Sequence, residues 1–83
     1  MNARVRVRLF AGVRETAGCE TLELELRAPA TVGELRRHLA ERLPDAAKLV
    51  RRAMFAVGTQ YASDDVEIAP GTEVACIPPV SGG

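Results

Sequence analysis

Few residues of this 83-residue chain have the type and spacing to do chemistry, and the most suggestive stand together in its last six letters, PPVSGG. Pro78 and Pro79 precede Val80, Ser81, Gly82 and Gly83, and the Gly83 carboxylate is the last functional group of the sequence. Proline fixes its own φ and pushes its predecessor toward extended backbone, so Ile77, Pro78 and Pro79 are expected to leave the preceding strand as a stiff spacer. Five residues at roughly 3.3 Å each carry a carboxylate on the order of 15 Å from the domain surface. Gly82 and Gly83 lack Cβ atoms and fit a channel too narrow for any side chain. The combination is a probe with a carboxylate at its tip; the ordinary alternative is a glycine-rich, frayed terminus.

Other reactive types fall into no catalytic pattern. Glu34 and His38 stand four apart on a helical stretch, the spacing of a solvated surface pair as much as of an acid and base. Asp64 and Asp65 are adjacent carboxylates in a polar loop. Cys19 and Cys76 form no CxxC and are expected to be reduced packing residues, and His38, the single histidine, has no nearby cysteine with which to form a zinc site. Ser81 has no base near it in sequence, and no glycine-rich turn follows a strand to open a helix, so no nucleophile motif or phosphate cradle is visible. Neither catalytic residues nor a metal are expected of the chain itself.

The elements that must position the tail follow from periodicity. In RVRVRLF, Val5, Val7 and Leu9 alternate with Arg4, Arg6 and Arg8, and in TLELEL, Leu22, Leu24 and Leu26 alternate with Glu23 and Glu25; both predict strands with one buried face. They are expected to pair as an antiparallel hairpin, arginines near glutamates, across a loop marked by Gly12 and Gly18 with room for one helical turn. TVGELRRHLAERLP then opens with a capping box, Thr31 and Glu34, and stops before Pro44. Val32, Leu35, Leu39 and Leu43 make its apolar stripe, with Arg36, Arg37 and Glu41 expected to stay wet. PDAAKLVRR is a mixed connector with room for one helical turn. AMFAV and QYA read as strands about a turn at Gly58 and Thr59, and a Pro70-Gly71 turn precedes the last strand, EVACI. A hairpin, one helix and further strands predict an α+β fold, a β-grasp or ubiquitin-like mixed sheet of about five strands covered by one main helix. The expected organisation is one domain over residues 1–78 with an extended tail over 79–83.

Composition sets the class of partner. Eleven basic and eleven acidic side chains cancel, with arginine outnumbering lysine ten to one, so no summed field attracts nucleic acid or an anionic membrane. The opening MNARVRVRLF has no continuous apolar stretch of an export signal, which predicts a cytoplasmic protein.

Four segments carry a resemblance to a known family. LFAGVRETAG fits a Phe-Ala-x-x-Arg-Glu-x-x-Gly signature through Phe10, Ala11, Arg14, Glu15 and Gly18; TVGELRRHL resembles the family's helix start, AVGTQYA its hairpin, and GTEVACIPPVSGG its Gly-Asp-Glu-Val-Ala to Gly-Gly ending. The chain thus resembles, over nearly its whole length, the small sulfur-carrier subunits of molybdopterin synthase, which are ubiquitin-like. It departs at Thr72, where the family has Asp, and at Gly58, where it commonly has Asn.

The resemblance implies that an E1-like adenylyltransferase uses ATP to convert the Gly83 carboxylate to an acyl adenylate. A persulfide sulfur donor then yields a C-terminal thiocarboxylate. The tail, with Gly82 and Gly83 at its tip, would deliver that sulfur to a pterin precursor in the large subunit's active site during molybdenum cofactor biosynthesis, in a heterotetramer of two small and two large subunits. No cofactor is implied as permanently bound. By the same match, Phe10, Arg14, Tyr61 and Ile77 would form the partner-binding patch, continued by Pro78, Pro79, Val80 and Ser81; burial in the core is the competing expectation for Phe10, Tyr61 and Ile77. A sulfur carrier for thiamin thiazole synthesis, a ubiquitin-like protein modifier that could use the single Lys48 for chains, and an interaction domain without chemistry are the alternatives.

Overall fold

The computed structural model describes residues 1–79. Alternation builds the first strand, β1 (Asn2–Leu9), whose side chains are exposed and buried in strict turn. Its partner β2 (Thr21–Arg27) runs antiparallel with Val5 opposite Leu24 and Val7 opposite Leu22. The expected hairpin is present, and Arg4 ion-pairs with Glu23 and Glu25 while Arg6 pairs with Glu23.

The connection between these strands is more ordered than its glycines imply. Residues Ala11–Ala17 form a two-turn helix, α1, with Val13 in the core. Gly18 closes it at φ 76°, its N–H donating to the Arg14 carbonyl, so this glycine ends a helix rather than merely punctuating a loop. At Gly12 a Cβ would stand 2.9 Å from Leu49 Cδ1, a packing reason for glycine inside a helix.

After a two-residue strand, β3 (Ala30–Thr31), the helix α2 (Val32–Arg42) begins at the predicted capping box. The Glu34 N–H donates to Thr31 Oγ1 at 3.2 Å, and the Thr31 N–H donates to Glu34 Oε1 at 3.1 Å. Val32, Leu35, Leu39 and Ala40 are buried, with Leu43 packed against the core. The mixed connector is a 3-10 turn (Pro44–Ala46) running into a third helix, α3 (Ala47–Arg52), and the two bury Ala46 and Val50. Strands β4 (Met54–Val57), β5 (Gln60–Ala62), β6 (Glu67–Ile68) and β7 (Glu73–Ile77) complete the order; β6 pairs with β3, and the β4–β5 turn falls at Gly58 as expected.

The main sheet has the order β2-β1-β7-β4-β5, antiparallel except for β1 and β7, which run parallel with Leu9 beside Cys76. This is the β-grasp: α2 lies on one face, and Val5, Val7, Leu9, Leu24, Leu26, Phe55, Val74 and Cys76 from the sheet close a single core with Val32, Leu35, Leu39 and Val50 from the helices. The opposite face of the sheet has no covering layer among the described residues, and the candidate site lies there.

Candidate functional site: the uncovered face beside the end of the last strand

Because β1 and β7 are parallel, their ends coincide at one edge of the molecule. Cys76 pairs with Leu9, so Ile77 and Phe10, one residue further along each strand, follow on the opposite side of the pleat from that buried pair. Phe10 holds extended backbone (φ −128°, ψ 154°) before the chain turns into α1. The turn is made by Ala11 at φ 51°, a left-handed conformation uncommon for residues other than glycine, asparagine and aspartate.

The pleat extends the surface. Ile77 is opposite Met54, and Ala56 is flanked by Ala75 on one side and Tyr61 on the other. These alternate with the core residues Phe55 and Cys76, so Met54, Ala56, Tyr61, Ala75 and Ile77 share the uncovered face. Tyr61 keeps 64% of its surface exposed and Met54 54%; Phe10 and Ile77 are half-buried. Burial in the core, the competing expectation for these side chains, does not occur: Phe10, Tyr61 and Ile77 share the uncovered face with Met54, an exposed side chain that the sequence reading did not single out. Alternation against Phe55 was the available signal. Arg14 is exposed on α1, Pro78 is buried where the strand ends, and Pro79 is exposed. Val80, Ser81, Gly82 and Gly83 lie outside the described residues.

The other reactive groups are in structural roles. Glu34 is committed to the Thr31 cap, and His38 is exposed. Asp65 accepts a hydrogen bond from the Ser63 hydroxyl, which holds its carboxyl below the usual value. Asp64 binds Arg36, whose Nη2 lies 2.9 Å from Asp64 Oδ1. Arg36 departs from its expected wet position: its side chain is only 21% exposed, Nη1 donates to the carbonyls of Val50, Arg51 and Ala53, and its guanidinium carbon sits 4.8 Å from the centre of the Phe55 ring. Cys19 and Cys76 are free thiols, and burial pushes the Cys76 thiol up to about 11 against a smaller opposing pull from Arg36. No group of three His, Cys, Asp or Glu side chains is placed to hold a metal among the described residues. No helix among them is long and apolar enough to cross a membrane.

The departure at Gly58 has a local cause. Its φ of 64° lies in the left-handed region, which asparagine also tolerates, so either residue serves the β4–β5 turn.

Comparison with known proteins places this architecture. The ThiS family model matches residues 7–83. Over 81 residues the chain is 36% identical to the molybdopterin synthase sulfur carrier subunit of Caenorhabditis briggsae, covering 95% of this chain and 96% of that protein. The subunit of the same name from Escherichia coli K12 is also 36% identical, with 95% and 99% covered. Among solved structures, SAMP1 from Haloferax volcanii matches with a TM-score of 0.84 at 27% identity, covering 98% of this chain and 100% of that one. The chain belongs to the ThiS family and has its relatives among the molybdopterin synthase sulfur carrier subunits.

Proposed function

We propose that this protein is the sulfur carrier subunit of a molybdopterin synthase, a reagent bound by its catalytic partner rather than a catalyst. The observation that carries this reading is full-length similarity to proteins of that name, in a chain that ends on Gly-Gly. The geometry supports it: the last strand ends beside an apolar, uncovered face on which a partner can grip the domain while taking up the residues after Pro79.

A carboxylate is too poor an electrophile to accept sulfur directly. Attack of the Gly83 carboxylate on ATP, in an E1-like adenylyltransferase, gives an acyl adenylate and pyrophosphate. A persulfide sulfur attacks the acyl carbon and AMP leaves; cleavage of the S–S bond by a thiol leaves the thiocarboxylate. In the large subunit that sulfur attacks the pterin precursor, and hydrolysis returns the Gly83 carboxylate. Two deliveries make one dithiolene. The lysines and arginines that would assist belong to the partner.

The test uses the chain prepared as its C-terminal thiocarboxylate, mixed with a large subunit of demonstrated activity and the cyclic pyranopterin precursor. About half an equivalent of dithiolene per chain is expected, since each product takes two sulfurs, with the carboxylate regenerated. No dithiolene from a chain shown by mass to carry the sulfur would refute the reading. Deleting Gly83, or extending the chain beyond it, is expected to abolish transfer.

A second reading draws on the similarity to SAMP1, a name that solved relatives expand as small archaeal modifier protein 1. As a ubiquitin-like modifier the chain would join Gly83 to lysines of other proteins, and an immunoblot against it would show a ladder of heavier species. A single free band would exclude this.

A further inference from the structure

We propose that Arg8 selects the protein partner of the uncovered face, by taking an Asp or Glu side chain of the large subunit at the β1 edge of the apolar contact; this rests on the reading that the large subunit docks there. Three arginines project from the exposed side of β1, and their neighbours differ. Arg4 stands opposite Glu25, and Arg6 has Glu23 on one side and Glu73 on the other. Arg8 has Thr21 on one side and Ala75 on the other. Arg4 lies 3.5 Å from Glu25 and Arg6 3.6 Å from Glu23, whereas Arg8 makes no ion pair among the described residues. Its guanidinium carbon instead sits 5.5 Å from the centre of the Phe10 ring.

The placement makes Arg8 a discriminator. Ala75, its neighbour on β7, is in register with Ala56, which is in register with Tyr61, so the cation continues the row that forms the apolar patch. A partner that covers Phe10, Ile77, Met54 and Tyr61 also removes the Arg8 guanidinium from water. A partner with only apolar groups there buries an uncompensated charge and is rejected; one with a carboxylate satisfies the planar fork by paired hydrogen bonds. Arg4 and Arg6 already have their counter-ions and lie toward the other end of β1, so they have no such role. Charge complementarity therefore defines the occupant: an apolar protein surface with one acidic side chain at the edge that meets β1.

The test measures affinity of the full chain for the large subunit by calorimetry at low and high salt, for wild type, Arg8→Gln, Arg8→Glu, Arg4→Gln and Tyr61→Ala. Arg8→Gln is expected to weaken binding about tenfold and Arg8→Glu about a hundredfold at low salt, with both losses shrinking at high salt and Arg4→Gln within about twofold of wild type. Single-turnover sulfur transfer at saturating large subunit should be unchanged in Arg4→Gln, whose ion pair with Glu25 lies outside the contact. Wild-type affinity in Arg8→Gln beside weakened Tyr61→Ala would overturn the Arg8 assignment and leave the docking face standing. Equal losses in Arg8→Gln and Arg8→Glu with unchanged salt dependence would overturn it too, reducing Arg8 to a support for the Phe10 ring. Absence of binding by the wild type, together with no dithiolene from its thiocarboxylate, would overturn the sulfur-carrier reading and this assignment with it.

Discussion

Replacing Arg36 by leucine should destabilise the domain by about 2–4 kcal/mol, a large loss for a surface helix position. Three carbonyl oxygens, those of Val50, Arg51 and Ala53, lie 2.7–3.2 Å from Nη1. Nη1 has two protons, so two strong bonds form at once, each from a charged donor and worth about 1.5–3 kcal/mol. The guanidinium over Phe55 adds about 1 kcal/mol, and the pair with Asp64, whose side chain is 58% exposed, at most about 1. Leucine fills part of the space and returns some of this, and carbonyls at a helix end can turn to water, which brings the net to the stated range. A domain of this size has roughly 4–12 kcal/mol in all. The assay is urea unfolding followed by circular dichroism, with the midpoint falling and the slope unchanged. Asp64→Asn should cost less than about 1 kcal/mol. An Arg36→Leu loss below that figure, or an Asp64→Asn loss equal to that of Arg36→Leu, would refute the assignment of Arg36 as the tie between the end of α3 and the start of β4. Amide exchange gives a second readout: opening at Met54–Val57 should accelerate first, since Ala53 begins that strand's approach.

Tyr61→Ala should leave the stability within about 0.5 kcal/mol of wild type, the side chain being 64% exposed, yet weaken the large-subunit complex by roughly tenfold to a hundredfold; calorimetry and unfolding on the same sample separate the two, and loss of folding would refute the surface assignment. Cys76 ionises near 9 in an unfolded chain but only near 11 in the fold, so above pH 9 the folded state binds the extra proton and stability falls as pH rises. The loss should reach about 2–3 kcal/mol by pH 11, and Cys76→Ala should flatten that slope relative to wild type; parallel slopes would show that the thiol is not responsible. Thr31→Ala should cost about 1 kcal/mol through loss of the α2 cap, and a neutral result would mean that the Val32 and Gly33 N–H bonds to the Val66 and Asp64 carbonyls hold the helix start unaided.

Local patterns were legible wherever one period governed a segment. The alternation of β1 and β2 foretold their pairing, the capping box at Thr31 foretold where α2 starts, and the Gly58–Thr59 turn separates the two strands expected about it. Arg36 escapes such a reading because arginine is polar by type. By position it lies four residues after Val32 and three before Leu39, on the stripe itself, and the carbonyls that satisfy it come from α3 and its end, fourteen to seventeen residues on. The helix α1 was hidden by its glycines: Gly18 marks its end and Gly12 makes room for Leu49, so the two residues that suggested a loop serve a helix. The two-residue strands β3 and β6 were too short to show any period.

What no local pattern carried is the parallel pairing of the first and last strands, and the site depends on it. Phe10 and Ile77 are separated by most of the chain, and each could have been a core residue at a strand's end. Setting Leu9 beside Cys76 decides both at once: the buried pair takes the inner side of the pleat, and the next residues take the outer. The same pairing brings Ala75 beside Arg8 and Glu73 beside Arg6, leaving one arginine of the three without a counter-ion, in the row that leads to Tyr61. Shifting β7 by two residues along β1 would preserve every inside–outside assignment and move Glu73 opposite Arg8 or Arg4. Burial alone is therefore compatible with several charge patterns on this face. The register is the one in which Arg8, the arginine closest to the end of β1, is also the one of the three with no counter-ion among the described residues.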